Sequence, residues 1–343
     1  MSSRQTNPDT LIELEEIDEE LATFFRSTSL PPPDYSHISK LALAFGESSN
    51  VLHSLVKIPD SVTVVDTWYT ATDGTKLRAK VYKPATPLAN GSPLVVIFHG
   101  GGFCVGDPED ESQTCCNIVQ AFSAICVSVQ YRLAPDFPFP YTVTDAWDAL
   151  NWAAESSEAL GADPSAGFIV GGISAGGNLT AILTHLAREQ GLSPPLTGQY
   201  LAVPHVCPAD RIPEKYQHHF LSYEQNKNAP LLPQAAIDLF FASYKPDHDD
   251  PVNYSILLHP AGHSNLPPAY FQVCGMDPLR DEALIYESIL REEDDIPTKL
   301  DVYPGLPHCF WQILPMLKSS MKFREDQIRG FGWLLRREPQ PLT

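Results

Sequence analysis

Gly172-Ile173-Ser174-Ala175-Gly176 sets a serine between two glycines in the spacing G-x-S-x-G. A short apolar run, 168–170, precedes it, and a stretch of helical periodicity, 175–190, follows it. The serine therefore falls on a strand-to-helix turn, the setting of a nucleophile elbow. A side chain two residues before or after would collide across so tight a turn. The following helix also points its positive dipole end at a place where negative charge can develop. The chemistry this suits is acyl transfer by an activated hydroxyl. The same spacing occurs in plain glycine-rich turns, so the reading depends on partners elsewhere in the chain.

His99-Gly100-Gly101-Gly102 closes another apolar run, 94–98. Consecutive glycines let backbone N–H groups face a site with no Cβ in the way. The HGGG pattern supplies half of the oxyanion hole in lipases and esterases. The expected donors are the N–H groups of Gly101, Gly102 and Ala175. A phosphate cradle needs G-x-G-x-x-G or G-x-x-x-x-G-K-[ST], and HGGGFCVGD matches neither.

A base and an acid should follow the serine in the order Ser, Asp/Glu, His, each just after a late strand. The run 270–273 leads to Asp277, and the run 299–303 leads to His308. Parallel topology would bring both loops to the sheet edge that carries Ser174. Asp277 is then the orienting acid and His308 the general base. Asp281 is the rival acid, but its place one turn into the next helix suits capping or dipole compensation. His259 and His263 have i,i+4 spacing, yet Pro260 and Gly262 between them oppose a helix and hence a metal pair. His218 and His219 read as loop residues. No combined Cys/His spacing matches a zinc site, so no metal is expected.

The elements that must position these groups are legible in outline. Runs 62–69 and 77–83 flank Asp73-Gly74 and read as an antiparallel hairpin. From residue 94, apolar runs at 94–98, 125–129, 168–170, 200–203, 270–273 and 299–303 alternate with helix candidates. These lie near 112–123, 141–155, 175–190, 233–243, 280–292 and 316–335. Runs apolar on both faces and separated by helices imply a parallel sheet covered on both sides. Upstream, 10–25 is expected as one helix, with Thr10 and Glu13 as a capping box, followed by a proline connector at 31–33 and a short helix over 38–45. Such amphipathic helices either pack on the domain surface or form a lid. The stretch 205–230 is polar and rich in Tyr, His and Pro, so it is either functional or holds cap helices.

Among 343 residues, 42 Asp+Glu face 23 Lys+Arg, a net charge of −19. That surface repels phosphate backbones and anionic lipid, so neither nucleic acid nor membrane is an expected partner. The N-terminus turns acidic without an apolar segment, and the seven cysteines are scattered, which reads as a cytoplasmic protein with reduced thiols.

HGGGFCVGD at 99–107, VQYRLAPDFPFP at 129–140, GGISAGGN at 171–178, DPLRDEA at 277–283 and GLPHCFW at 305–311 appear together in order. In these segments the chain resembles the hormonesensitive-lipase family of α/β-hydrolases, which includes plant, fungal and microbial carboxylesterases. The resemblance implies an α/β-hydrolase fold with a mostly parallel, doubly wound, eight-stranded sheet. It implies a helical cap from 1–55 and an insert at 205–255, on a core of 56–204 and 256–343. It also implies small hydrophobic ester substrates, no cofactor, and the triad and N–H donors named above. Homodimers are common in that family. Phe103, Phe45 and Tyr223 are candidate substrate contacts, although aromatics at helical spacing more often belong to a core. Three alternatives stay open within the resemblance: a tailoring or lactone-opening hydrolase of a biosynthetic pathway, a lyase or dehydratase on the same fold, and a non-catalytic small-molecule receptor. The chain departs from the family pattern at Ile173, usually acidic, at Asp136, usually Glu, and at Pro307 and Cys309 beside the histidine.

Overall fold

A computed structural model describes residues 8–28, 33–86 and 91–342. The chain opens with α1 (Pro8–Glu13), α2 (Glu19–Ser27) and α3 (Ile38–Leu55), followed by β1 (Val62–Thr70), β2 (Lys76–Pro84) and β3 (Leu94–Phe98). Next come α4 (Ser112–Phe122), β4 (Ile125–Val129), α5 (Tyr141–Glu155), α6 (Ser157–Leu160), β5 (Phe168–Ile173), α7 (Ala175–Gln190) and β6 (Gly198–Ala202). An insertion then carries α8 (Ser222–Gln225) and α9 (Gln234–Tyr244). The chain closes with β7 (Ala269–Met276), α10 (Arg280–Ser288), β8 (Thr298–Pro307), α11 (Phe310–Ile313) and α12 (Lys318–Leu335).

The eight strands form one sheet in the order β1-β2-β4-β3-β5-β6-β7-β8. The pairings of β2 with β1 and β4 are antiparallel, and all the others are parallel. Every residue of β3, β4, β5 and β6 is buried, as expected for strands covered on both faces. One face packs under α5, α7 and α10, and the other under α4 and α12. The expected doubly wound architecture is present, and each strand expectation overlaps an observed strand.

Two upstream expectations change. The helix expected over 10–25 is two helices, because residues 14–18 leave helical geometry to pair with Gly305. The N–H of Gly305 donates to Leu14 O (2.8 Å), and that of Asp18 donates to Gly305 O (3.0 Å). The Asp18 side chain then caps α2 by accepting from Leu21 N. The helix expected over 38–45 runs ten residues further, to Leu55. Gly46, Ser48, Ser49 and Asn50 are weak helix formers, so tertiary contact carries that stretch. Ser49 is buried there, and His53 Nε2 lies 2.8 Å from Asp110 Oδ1. The Thr10 side chain, Pro31 and Pro32 lie outside the described residues.

Candidate active site

β5 ends at Ile173, and Ser174 follows with φ 57° and ψ −114°, a strained conformation for a residue with a side chain. Neighbouring glycines make it feasible. A Cβ on Gly172 would stand 2.1 Å from Gly176 O, and one on Gly176 would stand 2.0 Å from Phe98 O. The turn aims Ser174 Oγ at His308, whose Nε2 lies 2.9 Å away. His308 Nδ1 lies 2.7 Å from Asp277 Oδ2, and the other carboxylate oxygen accepts from Leu279 N at 2.9 Å. All three side chains are buried. Burial opposes a charged imidazole, but the Asp277 carboxylate, with the Cys309 side chain acting in the same direction, outweighs it. His308 is held well above the ordinary histidine range.

The glycine loop leaves β3 beside the serine. A Cβ on Gly100 would lie 3.3 Å from Ile173 O and 3.4 Å from Ser174 Cβ. Gly101 and Gly102 have φ of 109° and 57°, and a Cβ on either would strike Val105 O or the Phe240 ring. Among the described residues, the N–H groups of Gly101, Gly102 and Ala175 donate no backbone hydrogen bond. His99 anchors the loop from behind: its ring stacks on Tyr131 at 4.1 Å, and the Tyr131 hydroxyl donates to His99 O at 2.7 Å. A hydroxyl, a base fixed by an acid, and unspent donors beside the hydroxyl are the parts acyl transfer requires.

The other residues singled out in the sequence fall as follows. Asp281 sits on α10 and accepts from Leu221 N (2.6 Å) and Ser222 N (2.7 Å), so it caps α8 of the insertion rather than its own helix. His263 Nδ1 meets His185 Nε2 at 2.9 Å in a buried contact away from the triad, and burial lowers its pKa to about 4. His218 and His219 end a 3₁₀ helix, Glu214–His219, rather than an open loop. Phe103 is 1% exposed and stacks on Tyr244 at 4.1 Å, so its ring supports the glycine loop from the core. Phe45 packs at the edge of the same core, and Tyr223 packs against Leu232, Ala236, Ile237 and Leu279. Ile173 is fully buried in the core on the α4 and α12 side.

Phe240 and Glu111 carried no motif. Phe240, on α9, lays its ring on Gly102. Glu111 is fully buried, and Gln312, four residues past His308, donates to it at 2.9 Å. Burial, with Asp110 nearby, pushes the Glu111 carboxyl up to about 8. Among the described residues, one cluster can bring three ligand atoms together for a metal: His53, Asp107 and Asp110. Its members already serve as a capping box and a contact to α3. No helix among the described residues is long and apolar enough to cross a membrane.

The fold and the seryl relay define an α/β-hydrolase. The family described as alpha/beta hydrolase fold matches residues 95–312. An AB hydrolase superfamily protein of Schizosaccharomyces pombe is 41% identical, over 82% of this chain and 83% of that protein. A versiconal hemiacetal acetate esterase of Dothistroma septosporum is 35% identical, over 77% of this chain and 79% of that one. The crystal structure of vibralactone cyclase superposes with a TM-score of 0.87 at 32% identity, covering 96% of this chain and 97% of that one. The chain belongs to the α/β-hydrolase family. Esterases recur among its relatives and structural neighbours, and it is a carboxylesterase-type hydrolase.

Proposed function

We propose that Ser174, His308 and Asp277 hydrolyse small, largely apolar carboxylic esters, with the N–H groups of Gly101, Gly102 and Ala175 as the anion pocket. The observation that carries this is the continuous relay of 2.9 Å from Ser174 Oγ to His308 Nε2 and 2.7 Å from His308 Nδ1 to Asp277. As Ser174 Oγ attacks the ester carbonyl, His308 Nε2 takes its proton and the carbonyl oxygen becomes an oxyanion between the N–H donors. Collapse breaks the ester C–O bond, and His308 returns the proton to the departing alcohol. His308 then deprotonates a water that attacks the acyl-serine; collapse breaks the acyl–Oγ bond, His308 returns the proton to Ser174 Oγ, and the carboxylic acid leaves. Asp277 keeps the proton of the neutral imidazole on Nδ1 and stabilises the imidazolium. Phe45 and Tyr223 are the proposed substrate contacts, and residues 1–55 and 205–255 the proposed cap. A reducing, cytoplasmic setting fits the seven free thiols.

Likeness to an esterase named for versiconal hemiacetal acetate supports a tailoring role on an acetate ester in a biosynthetic sequence. Likeness to a vibralactone cyclase favours a second reading, in which the acyl group passes between Ser174 and a hydroxyl of the substrate itself, opening or closing a lactone. A fluorophosphonate probe and p-nitrophenyl acetate test the assignment. Labelling should fall on Ser174, and Ser174→Ala should lose about 10⁴-fold in turnover. Labelling elsewhere, or turnover that persists in the variant, would overturn it.

A further inference from the structure

In the insertion after β6, three buried polar atoms have no hydrogen-bond partner among the described residues: His205 Nε2, the Tyr223 hydroxyl and the Tyr254 hydroxyl. An atom left unpaired in a core is destabilising, so each of the three calls for a reason. His205 and Tyr254 are 3% and 0% exposed. The His205 N–H reaches Ser174 O at 3.4 Å, which places this residue at the nucleophile's own turn. The rings of His205 and Tyr254 lie 5.1 Å apart, and Phe241 lies 5.2 Å from His205. Burial pushes the Tyr254 phenol well above its ordinary range, and the Tyr223 hydroxyl and Glu282 carboxylate nearby add to this. The Asp277 carboxylate is likewise among the charges that act on Tyr223.

The group is built, not loose. Glu282 Oε1 lies 3.1 Å from His205 Nδ1, and Glu282 Oε2 accepts from Val206 N and Cys207 N at 2.9 and 2.7 Å. The contact with Glu282 fixes the ring by Nδ1 and leaves Nε2 as the ring nitrogen without a partner. Asn178, on the helix behind Ser174, donates to Tyr254 O at 3.1 Å and fixes that residue. The result is one acceptor and two phenolic donors among aromatic walls.

We infer that His205, Tyr223 and Tyr254 form a polar subsite of the active centre, selecting substrates that carry hydroxyl or carbonyl oxygens on an aromatic frame over plain hydrocarbon esters. This deepens the ester-hydrolase reading and rests on it for the role of Ser174. A substrate hydroxyl donates a hydrogen bond to His205 Nε2 and keeps its proton, and the two phenols donate to its remaining oxygens. A site built to hydrogen-bond such groups rejects analogues that lack them, because its own polar atoms are then left unpaired.

Binding separates this claim from turnover. Titration calorimetry of the full chain with 2-naphthol and 2,7-dihydroxynaphthalene compares two aromatic frames that differ by one hydroxyl. The diol should bind at least about tenfold more tightly. That preference should shrink towards unity in Tyr254→Phe and Tyr223→Phe, because each removes a hydroxyl and keeps the ring. If Tyr254→Phe does not fold, the more exposed Tyr223→Phe carries the comparison. Equal binding of the two compounds would mean that the three atoms hold water only, and the subsite would be overturned. An undiminished preference in the folded variants would overturn it as well. A preference that disappears in the variants, in a protein that fails to turn over p-nitrophenyl acetate, would uphold the subsite and remove the hydrolase reading.

Discussion

At the scale of single residues, the electrostatics of His308 decide when the relay works. Only the neutral imidazole can take the Ser174 proton, so the rate should rise with pH as His308 loses its own proton. The Asp277 carboxylate at 2.7 Å raises that titration above the ordinary histidine range. A group whose folded pKa is raised stabilises the fold at low pH and loses that contribution as pH climbs through the folded value. Catalysis and this share of stability therefore pull in opposite directions across the same window. Asp277→Asn removes the charge and leaves a side chain of the same shape. Its turnover should fall by about 10⁴-fold, because the amide can hold the wrong tautomer. The acid limb of its pH–rate profile should also move to lower pH than in the parent. A limb that stays in place while the rate collapses would show that Asp277 does not set the His308 titration.

At the scale of elements, the insertion decides how much room lies over the glycine loop. Helix α9 carries Phe240, whose ring rests on Gly102, and Cys104 Sγ lies 3.7 Å from Phe240 O. The helix and the glycine loop are thus packed as one surface. Phe240→Ala should open that surface next to the reacting carbonyl. Each methylene accommodated in an apolar pocket is worth about 1–3 kcal/mol of discrimination. The ratio of kcat/KM for p-nitrophenyl octanoate over the acetate should therefore rise by about tenfold or more. An unchanged ratio would mean that the acyl chain leaves by another route. Nothing in the spacing of 205–268 pointed to Phe240 or His205, because both act through contacts with elements far away in sequence. The meeting of Ser174, His308 and Asp277 was legible for the opposite reason. A buried parallel strand reads as a bare apolar run, and the residue just past its end must lie at the carboxyl edge, so Ser174, Asp277 and His308 could be placed by counting strands. The split of the expected helix over 10–25 was hidden because its cause, Gly305, lies nearly three hundred residues downstream.

At the scale of the whole molecule, that split ties the start of the chain to the strands carrying the acid and the base. Residues 14–18 cross the carboxyl ends of β7 and β8 and hydrogen-bond Gly305, three residues before His308. They also press on Gly275, two residues before Asp277, where a Cβ would stand 2.1 Å from Leu14 O. Leu11 is 1% exposed in the main core, and Glu20 accepts from Lys318 N at 3.0 Å at the start of α12. The N-terminal segment is in this sense a strap over the sheet edge that carries Asp277 and His308. A base displaced by about 1 Å costs on the order of 10²-fold in rate. Deleting residues 1–18 should therefore lower kcat by roughly 10- to 100-fold and lower Tm by a few degrees as the core loses the buried Leu11 side chain. Gly305→Ala tests the same device without shortening the chain. Its φ is +68°, and its new methyl would stand 2.2 Å from Glu16 O, so the strap must lift. Saturation kinetics on a short ester and a thermal melt measure both effects. If both variants kept the parental kcat while melting earlier, the strap would be a structural brace with no part in positioning His308. A shared drop in kcat would show that the order of the triad depends on a segment more than 250 residues away from its base in sequence.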